Sequence, residues 1–212
     1  QVSCCPLTMD FTFASAYPVE GLVSWRPAMG LSHDALKARL SDASFRQAVK
    51  DELAQTATFR LFNNEWDKVH VVQTALAQHQ GYEQQSVAAL ALQAGKDALD
   101  FALDLALTED LETVFTAQLL NSDTQAVGQL LNDPHSLVSL SDAGAHLTFF
   151  NDAGFGLHLL GHWARDLGLM TMTQAVHKLT AQPAKVLGLK ERGHLKVGFA
   201  ADLMLFDPQT VG

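Results

Sequence analysis

The chain has 212 residues, 48% of them hydrophobic, enough to bury a sizeable core in one large domain or in one domain and part of another. Its 14 basic residues stand against 23 acidic ones, a net charge of −9 with no basic stripe, which excludes the clustered Lys and Arg that a nucleic-acid surface needs to displace counterions. No uncharged apolar run approaches the roughly 20 residues that span a bilayer. The only cysteines, Cys4 and Cys5, are adjacent, so a mutual bridge would be strained and no disulfide framework is implied. A reducing, cytoplasmic setting is the default, and with neither a leader pattern nor an initiator methionine, Gln1 reads as a truncated start.

In chain order, residues 1–5 are short and apolar and read as a buried strand. Residues 32–40 and 41–57 read as helices, each opened by a serine able to accept from free N–H groups. Residues 69–73 are strand-like and are expected to pair with 59–62 in an inserted hairpin. Ser86 caps an Ala/Leu-rich helix that Gly95 stops, and 96–107 continues as a second helix. A strand at 113–120, a helix at 124–131 and a strand ending at Asp142 follow. Residues 157–167 are helical, Thr171 and Gln174 have the spacing of a capping box, and Pro183 starts a short helix that Gly188 ends. No repeat or low-complexity tract interrupts this β/α alternation.

The most informative segment is 136–146. A Val- and Leu-rich run ends in Ser141-Asp142, a small-residue turn and His146. In a barrel of alternating strands and helices, catalytic groups stand at the C-terminal ends of strands, and a carboxylate there can hold a metal or move a proton. The competing reading of Asp142 is a helix N-cap.

Several further pieces have a shared character: Leu140–His146, His158–Arg165, Ala175–Thr180, Gln182-Pro183-Ala184, Gly188–Gly193 and Gly198–Pro208, with Gln1–Asp10 and Leu119–Asp123 upstream. Together they resemble the C-terminal part of amidohydrolases of the N-acyl-D-amino-acid deacylase (D-aminoacylase-like) branch. The resemblance is strong after residue 110 and loose between about 28 and 85, where it implies an inserted segment. It implies an α/β fold: residues 1–190 as the C-terminal portion of a (β/α)8 metal-dependent hydrolase barrel, and 191–212 as the truncated start of a small β-sandwich domain. Asp142 would then be the family's aspartate at the end of barrel strand eight.

Only about three barrel-type strands are found (near 1–5, 113–120 and 136–142), and a closed barrel typically needs roughly 250 residues. The favoured explanation is that the N-terminal half lies outside this sequence; otherwise exposed strand edges favour a homo-oligomer. The His-x-His pair by which such enzymes are known does not occur. Cys4 and Cys5 stand where the family carries a metal-binding histidine. They are candidate zinc ligands as thiolates, or else small buried hydrophobes.

His146 is a candidate for binding substrate or metal at the barrel mouth, or for a bond to a loop carbonyl. Arg26, beside Trp25, is a candidate for the substrate carboxylate, which guanidinium grips with two parallel hydrogen bonds, or else a surface arginine stacked on the indole. Asn121, Ser122 and Asp123 either face the mouth or cap the next helix. His158 and His162 share a helical face, but Leu159 stands where a metalloprotease helix has glutamate, so packing around Trp163 is the expectation.

The resulting expectation is an enzyme that hydrolyses the amide bond of a small N-acyl amino acid, D by family resemblance, with one or two zinc-type ions and with Asp142 as ligand and proton carrier. The alternatives are hydrolysis of another amide, cyclic or carbamoyl, and a metal-free degenerate barrel acting as a binding or assembly module. No nucleic acid or membrane is expected as a partner, and the fragment alone is expected to be inert, since ligands on missing strands would be needed.

Overall fold

The computed structural model describes residues 1–56, 59–141, 143 and 153–212. They form two compact units, Leu7–Leu120 and Gln1–Pro6 with Asn121–Gly212.

Three strands with period-two burial organise the larger unit. In β1 (Leu7–Phe11), β2 (Val69–Gln73) and β3 (Val114–Leu120), every second side chain turns inward. The order is β1-β3-β2, and both pairings are antiparallel. The register sets Met9 and Val69 on either side of Ala117, and Phe11 and Val71 on either side of Phe115, so the inner face is built in rows. Phe115 has no exposure and meets the rings of Phe11 and Phe13 at 5.6 and 5.4 Å. Trp25, in a 3-10 turn at Val23–Ala28, extends the cluster to Phe45.

Five helices accompany this sheet: α1 (Tyr17–Glu20), α2 (His33–Ser41), α3 (Ala43–Leu53), α4 (Val87–Ala94) and α5 (Ala98–Thr108). Ser86 accepts from the Ala89 N–H and Gly95 closes α4 at φ 65°, as the sequence predicts. Helix α5 buries Leu99, Phe101, Ala102, Leu103, Leu105 and Ala106. Its Asp100 and Asp104 are spaced i,i+4 and take Arg46 of α3, at 3.3 and 2.8 Å.

Two expectations for this unit are corrected. The cap of α3 is Asp42, which accepts from Phe45 N–H at 2.7 Å, whereas Ser41 bonds back to the Lys37 carbonyl. The hairpin of 69–73 with 59–62 does not form: β3 takes one edge of β2, and residues 84–86 take the other through Val71 N–H to Gln85 O and Gln84 N–H to Val71 O.

The regular structure among the described residues of the second unit is helical apart from one bridge. It contains α6 (Thr124–Asn132), α7 (Phe155–His158) running into a π-helical stretch at Leu159–Asp166, α8 (Met172–Leu179) and α9 (Ala181–Val186). The Thr171–Gln174 capping box is present in both directions. Cys4, Val127, Leu131, Val138, Leu159, Leu160 and Trp163 share its core.

Among the described residues, the segments expected as strands at 1–5 and 136–142 contribute a single parallel bridge, Val2 to Val138. Pro6, which has no N–H to donate, follows the first, and the regular alternation starts only at Leu7. Residues 191–212 contain no strand, and Val197 and Leu205 are almost wholly exposed. An apolar strand needs a neighbouring strand to take its N–H and C=O groups, and among the described residues of this unit none lies beside it. Helices and a sheet are both present, as expected, but both strand pairings are antiparallel, where the barrel expectation calls for parallel strands. Among the described residues, no helix is long and apolar enough to cross a membrane.

Candidate functional site

Asp142 and His146 lie outside the described residues. The chain that leads to them is described. Val2 N–H donates to Leu137 O at 2.9 Å and Ser139 N–H to Val2 O at 3.3 Å, so 137–139 run parallel beside the start of the chain. Gln182 Nε2 donates to the Ser136 carbonyl at 2.8 Å and fixes the entry to that run.

The Cys4-Cys5 segment is held from two sides. Asn121 Nδ2 donates to the carbonyls of Ser3 (2.8 Å) and Cys5 (2.9 Å), from a backbone at φ 59°. Trp163 Nε1 donates to the Cys4 carbonyl at 2.7 Å. The Cys4 side chain is fully buried, and its Sγ donates to Phe155 O at 3.1 Å. That geometry holds Cys4 as a thiol; to bind zinc it would have to lose this proton and this bond. Cys5 is also buried, and neither cysteine is in a disulfide.

Of the residues flanking the strand at 113–120, Asp123 is the cap of α6, accepting from Ala126 N–H at 2.9 Å. Asn121 is committed to the Ser3 and Cys5 carbonyls. His158 and His162 stack at 4.7 Å, and the His162 ring meets Trp163 edge-on at 5.4 Å, so the packing expected around that indole is present. Arg26 is exposed on the 3-10 turn of the other unit, and the Trp25 ring beside it turns inward to Phe13 and Phe45. Among the described residues, no three His, Cys, Asp or Glu side chains come together as a metal cluster. By themselves they do not fit a zinc ion, and a site would need donors beyond them.

The sequence reading passed over the most heavily bonded carboxylate of the described residues. Glu109, at the end of α5, has a fully buried side chain. It accepts from Thr113 Oγ1 (2.6 Å), His79 Nδ1 (2.8 Å), Ala75 N–H (3.0 Å) and Leu76 N–H (3.1 Å). Burial pushes its carboxyl up, but these donors outweigh it and the net shift is downward. No local motif announces it, because Ala75, Leu76 and His79 lie far away along the chain.

The chain is similar to several known proteins. Over 53 residues it is 53% identical to a D-aminoacylase of Alcaligenes xylosoxydans xylosoxydans, a match covering 25% of this chain and 11% of that protein. An N-acyl-D-glutamate deacylase of the same organism is 49% identical over the same length, with the same shares covered. The uncharacterized protein Rv2913c of Mycobacterium tuberculosis is 32% identical over 129 residues, 58% of this chain and 21% of that protein. The chain thus spans a small part of the length of each relative. A crystal structure of N-acyl-D-glutamate deacylase from Bordetella bronchiseptica, complexed with zinc and a phosphonate inhibitor, aligns at a TM-score of 0.40 and 29% identity, over 69% of this chain and 29% of that one. The model of the amidohydrolase family matches residues 26–211, taking in the larger unit from Arg26 onward and the Asp142 segment, and the chain belongs to that family.

Proposed function

We propose that the complete protein of which this chain is part hydrolyses the amide bond of an N-acyl amino acid, with a D-configured substrate as the first candidate. The observation that carries this reading is the family match across residues 26–211. The 53% identity to a D-aminoacylase supports the narrower choice of substrate. In this reading residues 1–190 are part of a (β/α)8 barrel with an insertion at about 28–85, and 191–212 begin a small β-domain whose remaining strands would cover the exposed Val197 and Leu205. The partner of these surfaces is the N-terminal half of the protein or a second copy of it.

The chemistry falls to Asp142. Its carboxylate takes a proton as water oxygen attacks the acyl carbonyl carbon, and returns it to nitrogen as the C–N bond breaks, releasing a carboxylic acid and a free amino acid. A bound divalent ion, zinc in the first instance, would supply acidified water and polarise the carbonyl, with Asp142 the first ligand candidate from this chain and Cys4 and Cys5 the next. His146 is a candidate for orienting substrate, and Arg26 is a candidate for its carboxylate through two parallel N–H donors.

Free amino acid released from paired N-acetyl-D- and N-acetyl-L-amino acids, with cyclic amides and N-carbamoyl compounds alongside, tests the reading. Turnover confined to the D-acyl members is the expected result. Turnover of the cyclic or carbamoyl compounds alone would move the protein to another amidohydrolase chemistry. Hydrolysis of none would leave a binding module.

A further inference from the structure

Residues 74–86 leave β2, double back and lie along its outer edge. Gln84 N–H donates to Val71 O at 2.8 Å and Val71 N–H to Gln85 O at 3.1 Å, so this strap takes the hydrogen-bonding groups that an edge strand would otherwise offer to another chain. Besides these bonds and the Tyr82 ring, which meets Phe101 of α5 edge-on at 5.8 Å, the strap is tied down by carboxylates. Three successive N–H groups, of Thr74, Ala75 and Leu76, all point at carboxylates: Thr74 at Glu83 (3.0 Å), and Ala75 and Leu76 at Glu109. His79 adds a fourth tie from the strap, again to Glu109.

We propose that Glu109 is the anionic pin of an edge guard: its carboxylate anchors the strap at 74–86 over β2, and its protonation releases the strap from that edge.

The surroundings make Glu109 the controlling group. The turn after α5 places two successive non-glycine residues, Asp110 and Leu111, at φ 57° and 66°. Such backbone is costly and persists only where neighbours fix it. From the strap, Glu109 faces His79 and Glu83; from the start of β3 it faces Thr113 alone. Asp110 points to Lys37 and His33 of α2, which hold its carboxyl at about 2. The cations of α3, Arg46 and Lys50, are committed to Asp100 and Asp104, further up α5. Helix α4 carries no charged residue. Apart from the His79 ring, no Lys, Arg or His side chain pairs with Glu109 among the described residues.

The sign of the pH effect follows. Glu109 titrates below the ordinary 4.5 for glutamate, and Glu83 is lowered too, mainly by the Thr74 N–H and hydroxyl. Their stabilisation is complete above the unfolded value and is lost as pH falls through the folded ones.

Residue-resolved hydrogen exchange on the intact chain tests this. In the wild type, amides 75, 76 and 84 should lose protection on acidification while the amides of β3 keep theirs. Glu109→Gln, which cannot accept at both positions, should speed exchange at 75 and 76 by at least about tenfold at pH 7 and leave little further acid response. Thr113→Val removes one donor with little change of shape, so release should move to higher pH. Strap and β3 amides opening together at every pH would overturn the proposal, as would an unshifted release in Thr113→Val.

Discussion

Asp142→Asn, made in the complete protein, should lower kcat by about 10²–10⁴-fold, the usual contribution of a positioned proton carrier. Asparagine keeps the shape and can still take part in hydrogen bonds, but it neither accepts the proton of the attacking water nor returns it to the leaving nitrogen. The far-UV spectrum and the unfolding midpoint should remain those of the wild type. Wild-type turnover in this variant would remove Asp142 from the chemistry and return it to the role of a helix cap, whose loss costs only about 1 kcal/mol of stability.

The largest effect on folding is expected at Phe115. It stands in the central strand, has no exposure, and carries the rings of Phe11 and Phe13 at 5.6 and 5.4 Å, with Val71 opposite on the other side. Truncation to alanine leaves a cavity in the middle of the row and should cost about 3–5 kcal/mol, a large part of the roughly 5–15 kcal/mol that holds an ordinary domain together. Urea unfolding measures it. Phe59→Ala, at a position 79% exposed, is the control and should stay within about 0.5 kcal/mol. A loss below about 1 kcal/mol at Phe115 would mean that the aromatic cluster is not the centre of this unit.

Local chemistry was the legible part of the fold. Ser86 and Gly95 bound α4, Thr171 and Gln174 form their capping box, and Asp123 caps α6, because each signal acts within one helical turn. Strand pairing was not legible in the same way. That β3 takes Leu7–Phe11 on one side and Val69–Gln73 on the other depends on which distant alternating runs find each other. The apolar content of residues 1–5 drew attention away from the cleaner alternation that starts one residue after Pro6. At the candidate site, the residues that family resemblance singles out can be named from sequence, but the supports cannot. The ties of Asn121 and Trp163 to the Cys4-Cys5 backbone span most of the chain, as does the bond from Cys4 to Phe155. Glu109 was invisible for the same reason: three of its four donors come from residues 75–79, some thirty positions before it, and only Thr113 is local.

The most direct test of metal-assisted amide hydrolysis is the release of free amino acid from an N-acyl-D-amino acid by the complete protein, first stripped of metal by a chelator and then returned to zinc. The account predicts turnover that disappears on stripping and comes back with the ion, as expected when a bound ion makes the attacking water acidic. Undiminished turnover in the stripped protein, or none at any zinc concentration, would contradict it.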